Sequence, residues 1–193
     1  MRPFAAVVCI LLSLNTGFSN QTVSSSTQPT HVIFHVQDLY GKQIEPPSTP
    51  VRLRLLLFFS KKHASRFEKF KKEIYDQIYD NPKIQILLVL QKTGINPMMR
   101  KKLKRELLKE FENENLLRKE QLKKLFPAME DEPPGLQLIP DWDGSFSISL
   151  KINPALKKPL ALFVDKDGKG LISFSSDQIQ ECLKWLKNKG DIQ

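Results

Sequence analysis

The side chains of this chain whose types could do chemistry are two cysteines, three histidines and one short basic turn. Cys9 sits inside an apolar leader segment, so the remainder of the chain holds Cys182 alone and has no internal disulfide to form. Cys182 falls on the stripe Ile179, Cys182, Leu183, Leu186, the spacing of a buried helix face, which predicts a small core hydrophobe rather than a reactive thiolate. His31 and His35 lie four apart on a predicted strand, about 13 Å from one another, too far to share a metal. His63 belongs to Ser60-Lys-Lys-His-Ala-Ser-Arg66 at a predicted helix start, where Ser60, Lys61 and Lys62 could contact an anion or a partner; the blander reading is a solvated basic turn.

Asp141-Trp-Asp-Gly144 and Asp165-Lys-Asp-Gly168 have the look of calcium loops. Neither continues to the glutamate that closes an EF-hand, so both read as turns. The sequence contains no phosphate-loop glycine pattern, no HExxH helix and no GxSxG elbow. No catalytic residue, metal or cofactor is therefore expected. Arg100-Lys-Lys-Leu-Lys-Arg105 has only leucine interleaved and lacks the aromatic platforms of single-strand binders, which points to a solvated helix face or to contact with an anionic surface rather than to nucleic acid.

The elements that must position these groups follow from periodicity. Val32, Phe34 and Val36 alternate as a strand over 31–38, with a turn at Tyr40-Gly41-Lys42. The proline-rich stretch over 45–50 is a loop. Val51 to Phe59 becomes a continuous apolar run, as suits a central strand buried on both faces. Phe67, Phe70, Ile74 and Ile78 then repeat at helical spacing until Asn81-Pro82, and Ile84 to Leu90 is a second central strand, completing a β-α-β unit. Asn96-Pro97 starts a long basic helix with an apolar stripe at Leu103, Leu107, Leu108 and Phe111. Helix propensity falls over 113–115, predicting a break or kink near Asn115, after which Leu116, Leu117, Leu122, Leu125 and Phe126 resume an apolar face. The last third reads as strands over 146–152, 160–165 and 171–174 and a helix capped by Ser176 or Asp177.

Residues 1–19 have the order of a signal peptide: Arg2, an apolar run from Phe4 to Leu14, and small residues at Gly17-Phe18-Ser19. The run is shorter than a bilayer span, which disfavours the alternative of a retained anchor. Residues 20–30 are polar and Ser/Thr-rich, a flexible lead-in to one domain over 31–190. Periplasmic or secreted localisation is expected, with no transmembrane segment after cleavage. Asn20-Gln-Thr22 is a glycosylation acceptor only in a eukaryotic secretory pathway. The net charge of +9 suits an anionic partner but does not select one.

Taken in order, these elements resemble the thioredoxin fold of the TlpA and peroxiredoxin-like branch, over about residues 31–188. Asp38-Leu-Tyr-Gly-Lys42 is similar to that branch's DLxGK entry, Leu55 to Ser60 to the buried strand before its active site, and Lys158-Pro-Leu-Ala-Leu-Phe-Val-Asp-Lys-Asp-Gly168 to its terminal hairpin. The resemblance implies an α/β domain of three layers, α/β/α, with a mixed central sheet, and puts Pro159 at the position of the family's cis-proline. An ordinary trans proline entering a strand is the other reading. It also implies a departure: where a CxxC pair would stand, the chain has His63, Ala64, Ser65 and Arg66, so His63 and Arg66 replace both sulfurs. Thiol exchange needs a thiolate, so oxidoreductase activity is not expected at this turn. The YtfJ-like periplasmic proteins are similar in being cysteine-poor here and in their LDKDG-like hairpin. The functional expectation is an exported, non-catalytic module that holds a protein or peptide near His63 and Pro159. The competing expectations are a thiol-disulfide or peroxidase-like enzyme with a non-standard site, at Cys182 or as a non-thiol activity at the Ser60 to Arg66 turn, and a basic protein attached to an anionic envelope surface.

Overall fold

A computed structural model describes residues 36–44, 51–92, 94–130 and 132–189. The predicted signal peptide, the lead-in, His31, His35, most of the first predicted strand and the proline-rich loop lie outside them. What is described of that strand's end is a bridge between Gln37 and Gln43 around a turn, in which the Asp38 carboxylate accepts from the Tyr40 and Lys42 amides, each at 2.9 Å.

Five strands form one mixed sheet in the order β3-β2-β1-β4-β5: β1 Leu53–Phe59, β2 Ile84–Gln91, β3 Leu136–Asp141, β4 Leu160–Asp165 and β5 Gly170–Ser175. β2 runs parallel to β1 and β3 parallel to β2, each reached through a helix; β4 and β5 close the sheet as an antiparallel hairpin. The helices are α1 Ala64–Ile78, α2 Pro97–Leu125, the short α3 Ser145–Ser149 and α4 Ile179–Asn188. β1 is the middle strand, and its continuous apolar run reflects this: Leu53, Leu55, Leu56, Leu57 and Phe58 are all buried because both faces are covered.

On one face, Leu53, Leu55 and Leu57 of β1 pack with Ile86 and Leu88 of β2 and Phe163 of β4 under Phe67, Phe70 and Ile74 of α1, Phe111 of α2 and Cys182 of α4. Each such buried side chain contributes roughly 1.5–3 kcal/mol. The opposite face is covered by Ile44 and by Phe146 of α3, with Leu150 and Ile152 beyond it, over Leu56, Phe58, Leu87 and Val89. Three layers result, one of them thin, as the α/β/α expectation requires.

Several local expectations are corrected. Residues 146–152 are not a strand; α3 occupies 145–149 because the buried Asp141 carboxylate accepts from the Phe146 and Ser147 amides and from the Ser147 hydroxyl. The third parallel strand lies earlier, at Leu136–Asp141, and accommodates Pro140 because β3 is a sheet edge. α2 runs unbroken through Asn115, whose side chain accepts from the Leu136 amide at 2.7 Å and ties β3 to the helix. Gly135 passes so close beneath that a Cβ there would collide with Asn115. The apolar face expected beyond Asn115 does not form: Leu116, Leu117, Leu125 and Phe126 are exposed, and Leu122 and Arg118 turn inward instead. The last helix begins with a 3-10 turn at Ser176–Gln178, and its cap is Ser175, through a capping box with Gln178, rather than Ser176 or Asp177. The predicted cap of α2 is observed, Asn96 accepting from the Met99 amide at 2.8 Å with Pro97 in the first turn.

Candidate functional site

β1 ends at Phe59, and the chain passes through Ser60 and a 3-10 turn at Lys61–His63 into α1. His63 is half-buried and donates its amide to the Ser60 carbonyl at 2.9 Å. Ala64, Ser65 and Arg66 form the exposed first turn of α1. Neither Ser60 nor His63 caps a helix with its side chain, and no acidic residue occupies the first turn of α1. Because Phe58 pairs with Leu160, Pro159 arrives beside Phe59, at the carboxyl end of β1. Pro159 is buried, and its carbonyl accepts from the Ser176 amide at 2.9 Å. The fold thus brings Pro159 and the Ser60–Arg66 turn to one end of the sheet.

Two small clefts flank that turn. On the β2 side, the Phe59 and Phe67 rings stack with centroids 4.1 Å apart. With Leu90 of β2 and Leu103 and Leu107 of α2 they line a cleft of about 230 Å³. Its rim is charged: Lys61 and Lys92 stand at the strand ends, Glu106 and Glu110 lie one turn apart on α2, none of these four in an ion pair among the described residues, and Glu68 of α1 completes it, paired with Lys71. On the β5 side, Arg66, Phe70, Asp177 and Ile179 line a second cleft of about 220 Å³. Asp177 is ion-paired with Lys158, whose hydrogen bond holds the carboxyl below its usual range, Arg66 adding to the effect. Lys61 and Arg66, members of one short basic turn, therefore line different clefts. The β2-side cleft is assembled from β1, α1, β2 and α2, so no window of sequence shows it; the local trace is Leu103 and Leu107 beside Glu106 and Glu110 on one helix.

The thiol is elsewhere. Cys182 is fully buried under α1 and β4, and burial pushes its pKa up to about 12. With Cys9 outside the described residues, no described thiol reaches the turn. Among the described residues no group of three or more His, Cys, Asp or Glu side chains is arranged to hold a metal ion. Asp141 is committed to α3, Asp143 accepts from the Ser145 amide, and Asp165 accepts from the Asp167 and Lys169 amides, so all three shape turns. Ser147 also accepts from Gln91 at 2.7 Å, which extends the Asp141 network across the ends of β2 and β3.

Two buried arginines shape the opposite end. Arg118 of α2, fully buried, donates to the carbonyls of Tyr79 at 3.0 Å, Ile84 at 2.8 Å, Pro134 at 2.5 Å and Asn81 at 3.3 Å. It thereby satisfies the carbonyls freed at the end of α1 and in the loop before β3. Burial lowers its pKa to about 10, which leaves it charged at neutral pH. Arg54 of β1 donates to Gln85, which donates to Gln137, a polar rung across three strands. Sequence periodicity does not reveal either, since both fall at positions where a solvated polar side chain is expected, yet both are buried.

The sheet order and connections described above are those of a thioredoxin-like domain. No family model and no curated protein matches the chain. Among solved structures it is similar to a putative thioredoxin from Neisseria meningitidis (16% identity, 86% of this chain and 95% of that one, TM-score 0.48). It is also similar to a secreted Mycobacterium tuberculosis disulfide oxidoreductase (12%, 80% and 97%, 0.44) and to an exposed lipoprotein thioredoxin of Streptococcus pneumoniae (15%, 79% and 98%, 0.44).

Proposed function

We propose that this chain is an exported, non-catalytic thioredoxin-like protein that holds a segment of polypeptide at the carboxyl end of its parallel strands, with the cleft between Phe67 and Leu107 receiving one apolar side chain. We read it as nearest the YtfJ-like group within the fold. The observation that carries the reading is the cleft itself: apolar-floored and charge-rimmed, it lies beside a helix start that carries no cysteine. Ligands of open α/β sheets bind at this end. At about 230 Å³ the cleft is below the usual size for a whole cofactor and suits a single large side chain. Lys61 and Lys92 at the strand ends, with Glu68 on α1 and Glu106 and Glu110 on α2, are positioned to meet charges flanking that side chain. Pro159 stands at the same end of the sheet, beside Phe59.

The test is selection from a displayed peptide library, followed by affinity measurement with the Leu103→Arg/Leu107→Arg double variant. Selected peptides should share a large apolar residue, and the variant should bind them roughly 10- to 150-fold more weakly, the worth of one buried side chain. Failure to enrich any peptide, or equal binding by the variant, would sink the proposal. Turnover of a disulfide or peroxide substrate by the same sample would instead favour an enzyme with a non-standard thiol.

A further inference from the structure

The outer face of α2 carries a feature that the cleft does not use. Met98, Lys101, Lys102, Arg105 and Lys109 follow one another at spacings of three, one, three and four, and their side chains lie on the solvent side of the helix. At 3.6 residues per turn they fall within an arc of about 100° and extend roughly 16 Å along the helix. None of the four cations is in an ion pair among the described residues, and Glu106 is the first acidic residue of the helix. Met98 is 83% exposed and Met99 57%, so two flexible apolar side chains stand in solvent at the head of the stripe.

This arrangement works against the isolated helix. Cations in the first turns face the positive end of the helix dipole, and the pairs Lys101-Arg105 and Arg105-Lys109 stack like charges where opposite charges would stabilise. An anionic partner reverses each of these penalties. The inward positions of the same helix, Leu107 and Phe111, with Leu103, pack toward the sheet on the other side, so contact through the stripe leaves the cleft open.

We infer that this face docks on a bilayer surface rich in anionic phospholipid headgroups, the lysines and arginine meeting phosphates while Met98 enters the headgroup layer. A nucleic acid is the weaker fit, because the stripe offers no aromatic side chain for base stacking and gives no use to the solvent-exposed Met98. The helix lies on the surface without spanning it, and no helix among the described residues is long and apolar enough to cross a membrane. The inference stands independently of what the cleft holds.

The experiment is vesicle co-sedimentation of the purified protein and its variants, all carrying the same N-terminus. Vesicles of phosphatidylglycerol mixed with phosphatidylcholine are compared with phosphatidylcholine alone. Binding should require phosphatidylglycerol, weaken with added salt, and fall roughly 100-fold in Lys101→Gln/Lys102→Gln/Arg105→Gln. The Met98→Trp variant should show emission shifted to the blue on these vesicles relative to the wild-type background of Trp142 and Trp185. Equal binding to both vesicle types, or no blue shift of the Met98→Trp variant once it is bound to vesicles, overturns the inference. So does duplex DNA bound as tightly as the vesicles, with Met98→Ser without effect on either.

Discussion

Native-state alkylation of Cys182 separates a binding module from a thiol enzyme, and the structure fixes how slow it should be. Burial raises the thiol from an ordinary 9.0 to about 12, so the thiolate fraction at neutral pH falls by about 1000-fold. The sulfur is also fully enclosed beneath α1 and β4, so a reagent meets it only when α4 lifts from the sheet. An opening of about 3 kcal/mol leaves the sulfur accessible in roughly one molecule in 100, while the raised pKa keeps the closed state unreactive. Because the opened thiol regains its ordinary ionisation, the two factors do not multiply, and labelling by iodoacetamide should be about 100-fold slower in the native protein than in the same chain unfolded in guanidinium. Mass spectrometry of timed aliquots gives both rates. A native rate within tenfold of the unfolded one would refute the reasoning, because it requires an accessible, ionisable sulfur that the packing of α4 does not permit.

Two further outcomes follow from the same interior. Arg118→Met removes five charge-assisted hydrogen bonds, the strongest worth about 1.5–3 kcal/mol each, but also relieves the desolvation of a buried cation, so the net loss should be about 3–5 kcal/mol in urea unfolding; a loss under about 1 kcal/mol would show that the carbonyls it serves are satisfied without it. Alkaline stability should also depend on Cys182: the folded state keeps a proton that the unfolded chain releases above 9.0, so its contribution is whole below that pH and declines toward about 12, by about 4 kcal/mol in all at about 1.4 kcal/mol per pH unit. Tyr75, raised well above its ordinary value by burial and then by Glu114, acts in the same direction. Unfolding measured at pH 8 and 10.5 should show wild type losing about 2 kcal/mol more than Cys182→Ala over that interval, and parallel losses would remove Cys182 from the account.

The central elements were legible because their signals are local. A run of apolar residues over 53–58 needs cover on both faces, the 3.6-residue spacing of Phe67, Phe70, Ile74 and Ile78 needs one, and Asn96-Pro97 satisfies a helix start within three residues. The burial of Cys182 followed from its stripe for the same reason. The segment over 145–149 was not legible: Ser-Phe-Ser-Ile-Ser alternates like a strand, and only Asp141, reaching forward from the end of β3, supplies the hydrogen bonds that coil it. Pro140 concealed β3, since its tolerance depends on an edge position that is a property of the sheet.

Sequence alone determined that the turn from Ser60 to Arg66 carries no sulfur and that the chain offers positive charge, because residue identity and net charge do not depend on folding. Only the tertiary structure decided where those charges point. It sends Lys61 toward α2 and Arg66 toward Asp177, buries Arg118 while exposing Leu116 and Leu117, and forms a cleft from four elements distant in sequence. Side-chain direction on a helix follows from what packs beneath it, and the carbonyls left at the ends of α1 and before β3 can be met by a guanidinium but not by a leucine.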